Sequence, residues 1–178
     1  MGILDWVYSF MGFFGLVDRQ AKILILGLNN AGKSTLLMKI VQNLPEGLQS
    51  THRTSKELVV RNVRFVAISL GSQQGQRLWS DYFHDVIGIL FLIDAADYKR
   101  FPEAKAELDA LLAIKEIQAT PIVVMGNKID QLYAVSEEEL RYELGFEQIH
   151  SRPIELCMCT LALRNGHGEA LRWLANHI

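Results

Sequence analysis

Residues 22–40, KILILGLNNAGKSTLLMKI, contain the most informative pattern in the chain. The apolar run at residues 23–26 predicts a short buried strand, and residues 34–40 predict a helix. Between them, residues 27–34 read GLNNAGKS and match the pattern G-x-x-x-x-G-K-[ST], with the flanking strand and helix that this pattern requires. The segment therefore predicts a phosphate-binding P-loop rather than a turn that holds a lysine by accident.

The chemistry of a P-loop explains the residue types at these positions. Glycines let the backbone wind tightly, so that its N–H groups and the N-terminus of the following helix point at phosphate oxygens. We expect Lys33 to neutralise charge on the β- and γ-phosphates and the hydroxyl of Ser34 to bind Mg²⁺. The predicted phosphate-binding residues are Asn30, Ala31, Gly32, Lys33, Ser34 and Thr35.

A second motif predicts which base the nucleotide carries. Residues 121–130, PIVVMGNKID, form a continuous apolar strand that ends in the motif N-K-x-D, with Asn127, Lys128 and Asp130. The carboxylate of Asp130 can accept two hydrogen bonds from the N1 and N2 edge of guanine, which adenine cannot donate. Lys128 can lay its aliphatic stem across the base. Together with the P-loop, this motif predicts GTP or GDP as the ligand and disfavours the alternative of a P-loop kinase or ATPase.

The composition fits one globular domain and argues against a nucleic-acid binder. The chain has 178 residues, of which 49% are apolar and 21% charged, and its formal net charge is −2. Such a chain can bury one core, but it lacks the excess positive charge that nucleic-acid binding uses for counterion release. Cys157 and Cys159 would face one side of a predicted strand, too close to bridge comfortably. We therefore expect a reduced cytosolic pair rather than a redox or metal-binding pair.

The remainder of the chain alternates strands with helices. Residues 63–70, VRFVAISL, and residues 88–94, GILFLID, predict strands, and the second is apolar on both faces like a central parallel strand. Residues 58–60 and 64–68, joined at Asn62, predict a hairpin. This alternation predicts a three-layer α/β sandwich with a mostly parallel sheet.

Helix signals recur in the second half of the chain. Pro102 is expected to open one helix, and Ser136 followed by Glu139 forms a capping box at the start of another, residues 137–144. The chain closes with an amphipathic helix. The residues expected to face inward from the first and last of these helices are Leu108, Leu111, Leu112, Leu171 and Leu174.

The first 20 residues, MGILDWVYSFMGFFGLVDRQ, predict an amphipathic helix that lies on a membrane surface. Asp5 is the only charge before Asp18, and apolar residues recur at helical spacing. The run is too short for a transmembrane span and lacks the positive start and cleavage site of a signal peptide. Basic Arg19 and Lys22 follow it, which favours an interfacial helix over a core-packed one. The predicted membrane-contacting residues are Ile3, Leu4, Trp6, Val7, Phe10 and Phe14.

Membrane affinity is expected to come from this helix itself. Gly2 is not expected to be myristoylated, because Trp6 stands where the acylation pattern has serine or threonine. Burial of three or four large side chains, at about 1.5–3 kcal/mol each, is enough for reversible attachment.

The chain resembles the ARF/SAR branch of the Ras-like small GTPases over nearly its whole length, and within it the secretion-associated SAR proteins that start COPII coat assembly. The resemblance implies a Ras-like P-loop NTPase fold with a mostly parallel six-stranded sheet in residues 21–178. It also implies a membrane-associating helix in residues 1–20. The stretches that carry it are DWVYS (5–9), GLNNAGKST (27–35), STHRTSKEL (50–58), FLIDAAD (91–97), NKID (127–130) and MCT (158–160) followed by GEALRW (168–173).

The resemblance also implies further ligand contacts. Thr160 and Leu161 would contribute backbone contacts to the guanine carbonyl. Counting back from Ser69 by the family's spacing places Ser50 where a switch hydroxyl completes the Mg²⁺ shell together with the P-loop serine. A slip of one residue would give that role to Thr51.

Residues 69–73, SLGSQ, depart from the family's pattern, which is Asp-x-Gly-Gly followed by His or Gln. Ser69 replaces the carboxylate that holds a water on Mg²⁺. Ser72 replaces a glycine that gives its N–H to the γ-phosphate at a backbone geometry glycine adopts easily. Gln73 falls at the water-positioning place and is the candidate catalytic residue, in a stretch before Trp79 that is one residue shorter than in the family.

The function implied by the resemblance is a GTP-switched recruiter. GTP binding would release the N-terminal helix to the cytoplasmic face of the endoplasmic reticulum membrane, with the Golgi as the alternative. The implied partners are the membrane surface, a membrane-bound exchange factor, and coat subunits that act as effector and activating protein. Hydrolysis would be slow and assisted by a partner. The departures at Ser69 and Ser72 leave an alternative, a pseudo-GTPase that binds guanine nucleotide as a scaffold with little or no hydrolysis.

Overall fold

The computed structural model describes residues 20–44, 52–54, 56–60, 62–70 and 82–178, and within these ranges the strands form one sheet. The strands are β1 Ala21–Leu28, β2 His52–Arg53, β3 Glu57–Val60, β4 Val63–Leu70, β5 Val86–Asp94, β6 Ile122–Asn127 and β7 Ile154–Met158. Their order across the sheet is β2-β3-β4-β1-β5-β6-β7. β3 pairs antiparallel with β2 and β4, and the other pairs are parallel. The predicted hairpin and mostly parallel sheet are confirmed, and the two-residue β2 extends the sheet beyond the six predicted strands.

The helices begin where the sequence signals place them. Pro102 lies in the first turn of its helix, where the missing N–H has no intrahelical partner to lose. The hydroxyl of Ser136 accepts a hydrogen bond of 3.2 Å from the backbone N–H of Glu139, as the capping box predicts. The helices in the described residues are α1 Lys33–Gln42, α2 Phe101–Leu112, α3 Glu137–Glu143 and α4 His167–His177.

The sheet separates two apolar cores, which makes the three-layer sandwich. Because side chains alternate along a strand, Ile23 and Ile25 of β1 pack into the core under α1 and α4, whereas Leu24 and Leu26 pack into the core under α2 and α3. β1 is buried on both faces, as the apolar run predicts. Of the leucines expected to face inward, Leu112 is only partly buried and packs at the margin of the α2 core, while four are fully buried: Leu108, Leu111, Leu171 and Leu174.

The two cysteines belong to one core and are not bridged. Cys159 is buried in the core under α4, and Cys157 is half-buried against it. Burial raises the pKa of the Cys157 thiol to about 11 and that of the Cys159 thiol to about 12. Both are therefore protonated thiols at neutral pH, which fits the expected reduced pair.

Strand order brings the predicted motifs to one edge of the sheet. The chain runs from β1 to the strands on one side of it, ending with β4, and then crosses to β5 on the other side, and ligands of α/β sheets bind at such a reversal of strand order. Gly27 at the end of β1 pairs in register with Leu92 of β5, and Asp94 at the end of β5 pairs with Asn127 at the end of β6. The P-loop and the N-K-x-D motif are therefore neighbours in space although they are about 100 residues apart in sequence.

Several predictions from the sequence fall outside the described residues. They concern the N-terminal helix with its six membrane-contacting residues, the switch hydroxyl at Ser50 or Thr51, and the second-switch residues Ser72 and Gln73. Within the part of the chain that the structure describes, no helix combines the length and apolarity needed to cross a bilayer.

Candidate functional site

Two glycines let the P-loop run close against its neighbours. Gly32 has φ +112°, and a Cβ there would lie 2.4 Å from Nδ2 of Asn127. Gly27 has φ +156°, and a Cβ there would lie 2.5 Å from the backbone oxygen of Leu92. Neither neighbour can move away freely, because one is a buried side chain and the other belongs to a central strand. The two end glycines of the motif are therefore required by close packing as well as by backbone geometry.

Lys33 is buried beneath the P-loop, and its ammonium group binds backbone oxygens at the start of that loop. Nζ donates hydrogen bonds of 2.9 Å to the backbone oxygen of Gly27 and 2.7 Å to that of Leu28, and the residue is 7% exposed. Burial, with a smaller contribution from the positive charge of Arg100, lowers the pKa of Lys33 from 10.5 to about 8. Among the described residues no carboxylate pairs with it. A buried cation without a counterion is what a phosphate would neutralise, so this environment fits a polyphosphate ligand.

Asn127 joins the P-loop to the loop that follows β7. Its Nδ2 donates to the backbone oxygen of Ala31 at 3.0 Å, and its Oδ1 accepts from the backbone N–H of Leu161 at 3.1 Å. The side chain is 3% exposed. An unpaired buried amide or carbonyl costs about 1–3 kcal/mol, so this residue fixes the two loops relative to each other.

Lys128 makes a second link to the P-loop. Its Nζ donates to the backbone oxygen of Asn30 at 2.7 Å and pairs with Oδ2 of Asp94 at 2.8 Å. The other oxygen of Asp94 accepts the backbone N–H of Ala96 at 2.9 Å, which orients the carboxylate. The ammonium group is thus held at the P-loop, and the aliphatic stem of Lys128 spans the space between the two motifs, where a base would lie.

Asp130 is held from one side by a threonine hydroxyl. Oγ1 of Thr160 donates to Oδ1 of Asp130 at 2.6 Å. Thr160 is 3% exposed whereas Asp130 is exposed to solvent. The arrangement orients a carboxylate at the surface, where its remaining lone pairs can accept hydrogen bonds from a ligand.

The backbone amides near the predicted base carbonyl already have protein partners. The N–H of Thr160 donates to the backbone oxygen of Asn165 at 2.8 Å, and the N–H of Leu161 donates to Asn127. Thr160 and Leu161 are therefore brought to the site together with Asn127 and Asp130. A contact from the N–H of Leu161 to a guanine carbonyl would have to be shared with Oδ1 of Asn127, and it stays a prediction.

Two residues of this network had no role in the sequence-based prediction. Asp94 could have been found as the polar residue that ends an apolar central strand beside β6. Arg100 gives no comparable signal, because it acts on a residue 71 positions away: Nη1 donates to the backbone oxygen of Asn29 at 3.1 Å. Its Nε and Nη2 bind the two carboxylate oxygens of Glu103 at 2.9 and 3.2 Å, which holds the guanidinium against the P-loop.

The metal-binding part of the site is described only in part. Ser34 lies exposed in the first turn of α1, and Ser69 lies exposed on β4 in register with Gly27. Mg²⁺ in nucleotide sites is usually held by one or two carboxylates plus phosphate oxygens, and Ser69 offers a neutral hydroxyl at this strand end. These donors fit an ion held chiefly by the phosphates of a bound nucleotide.

Comparisons with known proteins agree with the motifs. The model of the ADP-ribosylation factor family matches residues 7–178. The small COPII coat GTPase SAR1 of Giardia intestinalis is 34% identical, and that of Nicotiana tabacum 33% identical, with 100% of both chains covered in each alignment. The ADP-ribosylation factor-like protein 3 of Caenorhabditis elegans is 29% identical over 100% of this chain and 97% of its own.

The lowered pKa of Lys33 predicts a pH-dependent affinity for GDP. In the nucleotide-free protein Lys33 loses its proton near pH 8, whereas a bound diphosphate favours the charged ammonium. Above pH 8, binding must therefore take up a proton, and affinity should fall by about tenfold per pH unit at most. Calorimetry between pH 7 and 9, in two buffers that differ in ionisation enthalpy, measures both the affinity and the proton uptake.

Lys33→Arg provides the matched control for this experiment. A guanidinium stays protonated over the whole range, so this variant should bind GDP more weakly but without the slope. Proton uptake that persists in Lys33→Arg would show that another group titrates.

Proposed function

Because the chain belongs to the ADP-ribosylation factor family, we propose that it is a GTP-binding switch of the SAR type. In this proposal GTP binding inserts the N-terminal amphipathic helix into the endoplasmic reticulum membrane, where the protein recruits the COPII coat for transport toward the Golgi. Hydrolysis of GTP, slow and assisted by an activating coat subunit, ends the signal. A membrane-bound exchange factor restores the GTP state.

One observation supports guanine-nucleotide binding above the others: the two ligand motifs form one hydrogen-bonded unit. Asn127 and Lys128 of the N-K-x-D motif bind the backbone oxygens of Ala31 and Asn30 in the P-loop. A base held by the first motif is thereby placed at a fixed distance from phosphates held by the second. Such preorganisation lowers the ordering cost of binding.

Discrimination between guanine and adenine rests on Asp130. Its carboxylate matches the two donors of guanine N1 and N2, and Thr160 orients it. Adenine presents an acceptor at N1 and no donor at C2, so an ATP complex would leave the carboxylate unpaired. Sites that lose a required hydrogen bond reject the wrong ligand strongly, which favours GTP over the ATPase alternative.

The membrane and coat parts of the proposal rest on the apolar N-terminal sequence and on relatives named small COPII coat GTPases. Residues 1–20 provide several large apolar side chains, with basic Arg19 near the end of the segment and basic Lys22 just after it. Each fully buried large side chain contributes about 1.5–3 kcal/mol, so the segment can attach the protein reversibly.

Hydrolysis of GTP would depend on a few residues that bind Mg²⁺, the attacking water and the leaving phosphate oxygens. Ser34 and Ser50, or Thr51 in its place, would hold Mg²⁺, which supplies charge stabilisation for phosphoryl transfer. Gln73 would orient the water whose oxygen attacks the γ-phosphorus while the bond to the β-phosphate oxygen breaks and GDP leaves. Lys33 would stabilise the charge that develops on the leaving phosphate oxygens.

A second candidate function, a pseudo-GTPase scaffold, is favoured by one observation. Ser69 lies at the end of β4 in register with Gly27, so a neutral hydroxyl occupies the strand end beside the P-loop. Without a carboxylate there, binding can persist while hydrolysis becomes negligible. A protein with this function would fold and bind guanine nucleotide as before. It would not return to the GDP-bound state by its own hydrolysis of GTP.

Exchange of Asp130 for asparagine tests the base specificity. Asp130→Asn should weaken GDP binding by about 10- to 100-fold, because it removes charge-assisted hydrogen bonds worth about 1.5–3 kcal/mol. The same variant should gain affinity for xanthosine diphosphate, since an amide can donate to the C2 oxygen of xanthine and accept from its N1–H. Competition binding with labelled GDP measures both, and Asp109→Asn, an exposed carboxylate on α2, is the control. Unchanged preference for guanine in Asp130→Asn contradicts the assignment.

Nucleotide-dependent membrane binding tests the switch. We expect the protein to sediment with anionic liposomes more when loaded with a non-hydrolysable GTP analogue than with GDP. Phe10→Ser combined with Phe14→Ser should remove most of the sedimentation without changing nucleotide affinity, because it removes about 3–6 kcal/mol of apolar burial. Equal sedimentation in the two nucleotide states would exclude the switch and leave constitutive attachment.

Restoration of the family's residues tests whether the second switch limits hydrolysis. Ser69→Asp together with Ser72→Gly should raise the single-turnover rate of phosphate release by about 100- to 1000-fold, the order of effect of one electrostatic contact in a transition state. Retained affinity for GTP confirms that the variant is folded. A measurable rate in the unaltered protein supports the GTPase, and no release from it combined with release from the double variant supports the pseudo-GTPase.

A further inference from the structure

A groove of about 490 Å³ lies on the surface beside the nucleotide site. One wall is the turn that leads into α2, with Tyr98 and Pro102, and the other is the segment that follows the N-K-x-D motif, with Leu132 and Tyr133. Val135 also lines the groove, and its backbone N–H donates to the backbone oxygen of Ala95 at 2.9 Å, which ties the second wall to the residue that follows β5. This wall of the groove is therefore anchored to the central sheet.

The walls expose an unusual amount of apolar surface. Leu132 is 88% exposed, Tyr133 74% and Tyr98 60%, although each side chain is large and apolar. Single exposed apolar residues are normal in soluble proteins, but a contiguous patch that lines a concave surface marks an interaction site. Tyrosine is also among the residues that contribute most at protein–protein interfaces.

The rim of the groove is acidic. Glu139 and Glu143, one turn apart on α3, are the charged residues among those that line it. Like charges at this spacing destabilise a helix. On the same helix Glu137 is neutralised by Arg141, which also binds Glu155, whereas within the described residues neither rim glutamate has an ion pair. The rim thus presents two uncompensated negative charges beside the apolar walls of the groove.

We propose that this groove is a docking surface for a basic amphipathic segment of a partner protein. The segment would place apolar side chains between Tyr98, Leu132 and Tyr133, and lysine or arginine side chains one helical turn apart against Glu139 and Glu143. An anionic membrane surface is the wrong complement, because it would repel the rim. A helix with one apolar face and one basic face complements both the apolar walls and the acidic rim.

This surface is separate from the nucleotide-binding residues. None of the residues that line it belongs to the P-loop or to the N-K-x-D motif. The segment and a nucleotide can therefore be bound together, and the proposal does not depend on which nucleotide the protein binds or whether it is hydrolysed.

Selection of peptides tests the proposal on the full-length protein loaded with GDP. A phage-displayed library of random 12-residue peptides is selected on the unaltered protein and counter-selected on the Leu132→Ser, Tyr133→Ser double variant. The enriched peptides should combine bulky apolar residues with lysine or arginine at helical spacing. Fluorescence anisotropy of the synthesised consensus peptide should show at least about tenfold weaker binding to the double variant, because central apolar anchors dominate such interfaces.

Charge reversal makes the test specific for the rim. The Glu139→Lys, Glu143→Lys double variant should bind the consensus peptide about three- to tenfold more weakly, as expected for exposed ion pairs. A peptide with glutamate in place of each lysine or arginine should bind this variant better than it binds the unaltered protein. Tyr142→Ser is the matched control, since Tyr142 is 83% exposed on the same helix but does not line the groove, and it should bind the consensus peptide normally.

Three results would overturn the proposal. One is a selection that yields no peptide able to distinguish the unaltered protein from Leu132→Ser, Tyr133→Ser, with both shown folded by circular dichroism and retained nucleotide. Another is an enriched consensus that is acidic or uncharged. The third is a concentration-dependent dimer, or binding to anionic vesicles, that the same double variant abolishes, because the groove would then serve a second copy of the chain or a lipid surface.

Discussion

The buried side-chain amide of Asn127 is the contact on which the rest of the site depends. Its Nδ2 donates to the backbone oxygen of Ala31 in the P-loop at 3.0 Å, and its Oδ1 accepts from the backbone N–H of Leu161 at 3.1 Å. Loss of this amide would leave two buried backbone groups unpaired, at about 1–3 kcal/mol each. The same amide lies so close to Gly32 that no other residue fits there. The identity of a P-loop glycine is thus set by a residue 95 positions later in the chain.

Of the three cations that the structure describes around this amide, Lys33 is the one without a carboxylate partner among the described residues. Lys128 is paired with Asp94, and Arg100 is paired with Glu103. Among the described residues, the partners of Lys33 are backbone carbonyls, and its burial, with a smaller contribution from Arg100, lowers its pKa to about 8. Paired cations contribute little net attraction at long range, whereas a desolvated unpaired one interacts strongly with an incoming phosphate. The hydrogen bonds from Nζ also orient the ammonium group before a ligand arrives.

The sequence was sufficient to predict those features that a short, continuous stretch of residues encodes. The P-loop, the N-K-x-D strand end and the capping box at Ser136 are each defined by fewer than ten consecutive residues, and the structure has them where the patterns predict. The contacts of Asp94 with Lys128 and of Arg100 with Asn29 join positions 34 and 71 residues apart, and no pattern within either segment encodes them. They exist because the order of parallel strands brings those loops together. The groove beside α3 has the same origin, since its walls come from two separate loops.

In the proposed function, nucleotide binding and GTP hydrolysis depend on different parts of this site, and the departures from the family's pattern affect only the part used for hydrolysis. The contacts of Asn127, Lys128 and Lys33 lie among the P-loop, the ends of β5 and β6 and the loop after β7, and Ser69 takes part in none of them. Ser69, in register with Gly27, offers a neutral hydroxyl at the position where the family's pattern is predicted to have a carboxylate. An arginine from a partner can stabilise charge on the transferred phosphoryl group. It cannot replace an anionic group near Mg²⁺, because its charge has the opposite sign. In the proposed function, hydrolysis would therefore be slow and would depend on an activating partner, whereas nucleotide binding would not be affected by Ser69.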